Sequence, residues 1–196
     1  MTLTREQRVK WIEAVAPAAQ AAAAQFGFPA SVAIAQAALE SGWGESSLAA
    51  EAFNFFGIKA LRASDPFVAK NTTEVLSEEE LKGELKRRPW IKVISKKPAK
   101  NGKFVFVLSD RFRKFSNLAQ AFAFLGRLYS GARYAPAMKA ADDPEVFAVR
   151  VQECGYSTAP DYAVTLVRLI RDYDLTRFDA AMIKLDAHKQ TNGGTR

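Results

Sequence analysis

A chain of 196 residues, 48% hydrophobic and 25% charged, has the apolar content for one globular domain with a subsidiary lobe, and no apolar run approaches the roughly 20 residues of a membrane span. The net charge of +7 favours anionic partners such as nucleic acid, acidic lipid or cell wall polymer. The single cysteine, Cys154, excludes an internal disulfide, and the single histidine, His188, lies in the polar stretch "DAHKQTNGGTR". A Ser-His or Cys-His nucleophile and a histidine-rich catalytic zinc are therefore both ruled out. Acid–base chemistry falls to carboxylates, lysines or tyrosines, and no metal or cofactor is expected.

The first residues, "MTLTREQRVKW", lack the basic-then-apolar layout of a signal peptide. The expectation is a chain made in the cytoplasm, or exported by a route that needs no such signal. Residues 4–25 read as a helix that Pro17 kinks or splits. Pro29 suits the first turn of a second helix, which ends near Ser41 because Gly42 and Gly44 follow. Residues 45–60 read as loop and short turns. "PFVAKNTTEVL" and "KFVFVLSDRFRKF" are rich in β-branched and aromatic residues and read as strands. The charged stretch between them contains a tight-turn pair, Asn101-Gly102, and "SEEELKGELKRR" is able to form a helical turn. Residues 61–114 are thus expected to form a β-rich lobe. From Ser116 three helical patterns follow, one capped at Asp143 with Pro144 in the first turn. The domain is expected over residues 1–180, with 181–196 as a polar tail.

One segment raises a chemical question. In "SVAIAQAALESGWG" Gln36 and Glu40 are the only strongly polar side chains beyond the opening serine, and four residues apart they share a helix face. A helix apolar all round is a buried helix, so Glu40 leaves the core at its C-terminal end. Partial burial and the negative end of the helix dipole both raise a carboxyl pKa. A carboxylic acid kept protonated near neutral pH is what a general acid needs, and glycosidases use one to protonate the leaving oxygen of a sugar linkage. Trp43, Phe53, Phe55 and Phe56 are candidates to line an adjacent groove. The plainer alternatives are a solvated Glu40 and aromatics that belong to the core.

"AIAQAALESGWGESSLA" followed by "NFFGIKA" resembles the glucosaminidase family of peptidoglycan hydrolases, which includes flagellar muralytic domains, autolysins and phage lysins. The resemblance maps the catalytic acid onto Glu40 and the N-x-F-G-I-K segment onto Asn54 to Lys59. "NTTEV" resembles the segment carrying the second carboxylate, here Glu74. "FRKFSN" resembles the segment that re-enters the helical lobe. "SGARYAPAM" contributes Tyr134, and "ECGYSTAPDYAVTLVRLI" maps the active-site tyrosine onto Tyr156, with Tyr162 beyond it. The matched segments run in the same order over about residues 15–175. The stretch after Glu74 is longer and more charged than the family's usual short hairpin, which leaves Glu78, Glu79 and Glu80 as substitutes for Glu74.

The resemblance implies an α+β, lysozyme-like fold with a cleft between a helical lobe and a β-lobe. It implies hydrolysis of the β-1,4 bond after N-acetylglucosamine in peptidoglycan, with catalytic Glu40, Glu74 and Tyr156. Substrate contacts are expected from Trp43, Asn54, Phe55, Phe56, Tyr134 and Tyr162. Cleavage as a muramidase or lytic transglycosylase is the alternative, since one fold supports all three. A non-catalytic module binding cell wall or nucleic acid is a third. The expected setting is the cell wall, in the periplasm or outside the cell, for a monomeric phage-type lysin or type VI effector, the latter with an immunity protein that blocks the cleft.

Overall fold

The computed structural model describes residues 3–179. The expected polar tail, with His188, lies outside the described residues. Helix α1 (Arg5–Phe26) starts at Thr4, whose hydroxyl accepts from the Gln7 N–H while the Gln7 side chain returns to the Thr4 N–H. This reciprocal cap satisfies two otherwise orphaned donors. Pro17 lies within α1, which runs on as one helix where the sequence suggests a kink or a split. Its face of Ile12, Val15, Ala16, Ala19, Ala22 and Ala23 is buried, and that packing holds the helix through the hydrogen bond lost at proline.

Helix α2 (Ala30–Ser41) threads the core, with ten of its twelve residues buried. Pro29 gives it no side-chain cap; instead the Asp179 carboxylate, from the far end of the described chain, accepts from the Ser31 N–H at 2.8 Å. Gly42, in the left-handed region at φ 57°, closes the helix by donating its N–H to the Ala38 carbonyl. A further short helix, α3 (Ser47–Ala52), occupies part of the stretch expected to be loop, because Ser46 caps it and Ala49 and Ala52 bury against the core.

The β-lobe is a three-stranded antiparallel sheet: β1 (Phe67–Leu76), β2 (Lys92–Pro98) and β3 (Phe104–Arg113), with β3 in the middle. β2 was hidden in the sequence by its lysines, which an edge strand tolerates and even uses to discourage mispairing. Asn101 and Gly102, at φ 57° and 69°, form the tight turn between β2 and β3 as expected. "SEEELKGELKRR" goes beyond a single turn: it makes α4 (Glu78–Arg87), with a Ser77–Glu80 capping box, acids in the first turn and bases in the last. Its Leu81 joins Ile91, Phe106 and Leu108 in a small core of the lobe's own.

Helices α5 (Leu118–Tyr129), α6 (Ala135–Met138), α7 (Pro144–Glu153) and α8 (Tyr162–Asp172) complete the helical lobe. Asp143 caps α7 with Pro144 in its first turn, as expected. The lobes are joined at residues 54–60. The Asn54 amide donates to the Ile58 and Arg113 carbonyls, both at 2.8 Å, and its oxygen accepts from the Ile58 N–H at 3.0 Å. Arg113 N–H donates back to the Ile58 carbonyl at 2.9 Å. This joint fixes how the end of α2 faces strand β1.

Candidate active site

Between the lobes lies a groove of about 720 Å³ lined by Glu40, Phe56, Lys59, Thr72, Glu74, Phe112, Arg133, Tyr134 and Tyr156, among others. Glu40 comes from the last turn of α2, Glu74 from β1, and Tyr156 from the loop between α7 and α8. Residues more than a hundred positions apart in sequence thus face one space.

Glu40 is open to solvent along the groove, yet protein atoms crowd its carboxyl enough that burial raises its pKa, and the Tyr162 hydroxyl opposes the rise. The orientation of that hydroxyl has a traceable origin. The Tyr129 hydroxyl donates to the side-chain oxygen of buried Gln36, and the Gln36 amide nitrogen donates to the Tyr162 oxygen at 2.9 Å. An amide nitrogen only donates, so the Tyr162 proton is left for Glu40. Tyr129 and Gln36 are fully buried and Tyr162 nearly so. Gln36 is the polar residue that shares the Glu40 face of α2, and its role is to orient this chain of hydrogen bonds. Tyr162→Phe should therefore raise the Glu40 pKa further, read from a carbon-13 NMR titration of its carboxyl. An unmoved titration would show that the hydroxyl does not donate to Glu40.

Tyr156 stacks on Tyr162 at 5.8 Å and meets Tyr134 edge-on at 6.5 Å. Burial and the neighbouring Tyr162 raise its pKa well above the usual phenol value, so it remains a neutral hydrogen-bond donor. Its hydroxyl is buried and has no hydrogen-bond partner among the described residues. Buried polar groups are nearly always paired; this one belongs to a residue that lines the groove. The loop is held by Arg133, which donates to the Cys154 and Gly155 carbonyls. Gly155 is required there twice over: its φ is 77°, and a Cβ would come 2.6 Å from the Arg133 guanidinium.

Glu74 points into the groove from β1, on the sheet face that also carries Thr72 and Asp110. The Thr72 hydroxyl lies 3.4 Å from its carboxylate and the Lys59 ammonium also 3.4 Å. Glu78, Glu79 and Glu80 form the first turn of α4 instead. Glu78 pairs with Lys96, and Glu80 caps Ser77 and pairs with Lys103. Those bonds hold both carboxylates below the usual pKa range. They serve the helix, not the groove.

The expected contact residues divide. Phe56 and Tyr134 line the groove, though both rings are mostly buried. Tyr162 borders a neighbouring crevice together with Glu40 and acts through its hydroxyl as described. Trp43, Asn54 and Phe55 do not line the groove. Trp43 adopts φ 61° between two glycines and packs on Trp11 at 5.7 Å and Tyr173 at 5.0 Å. Gly44 lets Trp11 approach so closely that a Cβ would lie 2.5 Å from the indole nitrogen. The G-W-G segment thus seats the end of α2 on α1. Asn54 is 1% exposed and saturated by backbone partners, and Phe55 is buried against Trp11. Lys59 and Arg133 lie in matched segments but were not singled out as groove residues, and Phe112 carried no distinct sequence signal, because each reaches the groove through tertiary packing.

The chain is similar to known proteins over most of its length. Residues 16–175 match the glucosaminidase family model, described as mannosyl-glycoprotein endo-beta-N-acetylglucosaminidase. The exo-glucosaminidase LytG of Bacillus subtilis is 35% identical over 149 residues, covering 76% of this chain and 45% of that protein. A probable N-acetylmuramidase of Lactococcus lactis is 33% identical over 178 residues, covering 87% of this chain and 35% of that protein. Among solved structures, a peptidoglycan hydrolase mutant from Sphingomonas sp. A1 superposes with a TM-score of 0.59 at 31% identity, covering 87% of this chain and 97% of that one. The chain spans less than half the length of the curated relatives it matches.

Proposed function

The chain belongs to the glucosaminidase family, and from that premise we propose that it hydrolyses the β-1,4 bond after N-acetylglucosamine in peptidoglycan glycan strands. The observation that carries this reading is the Glu40 carboxyl: it is open to an extended groove yet crowded enough to hold its proton more tightly than a free glutamate. Glu40 gives that proton to the leaving glycosidic oxygen as the bond to the anomeric carbon breaks. Water completes the reaction at the anomeric carbon. Either Glu74 takes the water's proton directly, or the substrate's 2-acetamido oxygen attacks first and water opens the resulting ring. In the second route the Tyr156 hydroxyl holds the acetamide.

Tyr156→Phe tests that placement. It removes one hydrogen bond, so kcat should fall roughly tenfold, the equivalent of about 1.4 kcal/mol. The melting temperature should stay level or rise, because no protein partner is lost. Unchanged kcat would leave Tyr156 as a packing residue.

Cleavage on the other side of the disaccharide is the second reading, favoured by the muramidase name of the Lactococcus relative. Digestion of purified peptidoglycan, followed by mass analysis and identification of the reducing-end sugar, separates them. A reducing N-acetylglucosamine supports the glucosaminidase reading, a reducing N-acetylmuramic acid the muramidase, and an anhydro end the transglycosylase. The proposed place of action is the cell wall. A role as a lysin or as an injected effector countered by an immunity protein belongs to the same reading, and the neighbouring gene, a holin or a small exported inhibitor, decides between them.

A further inference from the structure

The structure assigns Lys59 the task of positioning Glu74, with Asp110 and Arg88 as the frame that holds Lys59 in place. The inference rests on the groove being the glycan-cleaving site proposed above, and it concerns how that groove keeps its β-lobe carboxylate in register.

Asp110 lies in the middle of the central strand, and its side chain is 1% exposed. A buried carboxylate is tolerated only when countercharges and hydrogen bonds surround it. Its cross-strand neighbour on the same face is Lys70, but that ammonium reaches away to Glu51 at 2.6 Å. Two other cations take its place. Arg88, just after α4, forks between Asp110 and Glu84. Lys59, from the joint between the lobes, lies 3.3 Å from Asp110.

Lys59 is thereby committed. Its ammonium is 3.3 Å from Asp110, 3.4 Å from Glu74 and 4.0 Å from the ring centre of Phe112. An ammonium has three N–H groups; one donates to Glu74, and Asp110 and the Phe112 ring lie beside it. The backbone is fixed as well, because Lys59 bridges to Phe112 across the joint. Glu74, by contrast, is a strand residue with its side chain 38% exposed, and among the described residues only Lys59 and Thr72 hold its carboxylate. The rigid partner therefore sets the position of the mobile one. The Glu84–Arg88–Asp110–Lys59–Glu74 array also gives α4 a purpose: the helix that lengthens this lobe supplies the Glu84 and Arg88 end of the frame.

The test is a cycle of Lys59→Met, Glu74→Gln and the double variant, with Lys59→Arg as the conservative control, all in the full chain. Methionine keeps the stem length and its packing on Phe112. Turnover is measured on soluble glycan strands. Lys59→Met should lower kcat by about tenfold to a hundredfold, the scale of a misplaced reacting group, with KM within about twofold, and Lys59→Arg should recover most of the loss. In the Glu74→Gln background the lysine substitution should change kcat by less than about twofold, because there is no carboxylate left to place. An equal loss in both backgrounds, or a rise in KM alone, overturns the inference. Thermal unfolding of the same proteins gives a readout independent of catalysis. Non-additive melting shifts support the pairing of Lys59 with Glu74, and additive ones refute it. Failure of wild-type cleavage itself would count against the functional reading and leave this unfolding cycle to decide the pairing.

Discussion

Glu40→Gln is expected to lower glycan cleavage by at least about 10²-fold, the contribution of a missing general acid, and to leave the fold intact. Glutamine keeps the shape of the side chain and can still accept a hydrogen bond from Tyr162, but it has no proton to give at the leaving oxygen. The stability of wild type relative to this variant depends on pH. Burial raises the folded-state pKa of Glu40 above 4.5, so the folded chain binds the proton more tightly than the unfolded chain. Stability from that difference is present below about 4.5 and is lost as pH rises through the folded value. Above the folded value wild type carries a charged, crowded carboxylate that the glutamine variant lacks. Chemical denaturation should find wild type gaining stability relative to Glu40→Gln as pH falls from 7 to 4. Near wild-type clearing of cell walls by the variant would remove Glu40 from the mechanism. A marked loss of stability at neutral pH would make it a structural residue.

The largest effect on stability is expected at Asn54. Asn54→Ala takes away two donors and an acceptor from backbone groups at the lobe junction. The Ile58 carbonyl keeps the Arg113 N–H, while the Ile58 N–H and Arg113 carbonyl lose the partner supplied by Asn54. Each buried group left unpaired costs about 1–3 kcal/mol, for a total of about 2–6 kcal/mol on equilibrium denaturation. Asn54→Asp, which keeps the acceptor but not the amide donors, should lie between alanine and wild type. Because residues 54–60 carry both Phe56 and Lys59, activity should fall with the alanine variant even at temperatures where it remains folded. A stable variant with only a raised KM would return Asn54 to the substrate-contact role that its motif suggests.

Much of the helical lobe, and the turn between β2 and β3, was legible because the signals are local. The Asp143 cap with Pro144 behind it, the glycine that ends α2 and the Asn-Gly turn each act within a few residues, and each appears where the sequence puts it. The continuity of α1 through Pro17 was not legible, since it depends on a buried face that a linear reading does not weigh against one lost bond. Nor was β2, whose exposed lysines resemble solvated loop until β3 is seen beside it.

Glu40 was legible as a candidate acid for a similar reason. An apolar run with one carboxylate at its end describes both the burial and the place of exit. The company it keeps was not legible. Trp43, Asn54 and Phe55 stand in the same motif yet turn to packing and to backbone capping, because side-chain direction at a lobe junction depends on what arrives from α1 and β3. The tyrosine chain that opposes the rise in Glu40 proton affinity joins α2, α5 and α8, and the charges that hold Glu74 come from the lobe joint, the end of α4 and the central strand. Periodicity and capping are set by neighbours along the chain, so they survive in one dimension. Proton affinity and carboxylate placement are set by atoms a few ångströms away in space, and only the folded arrangement brings those atoms together.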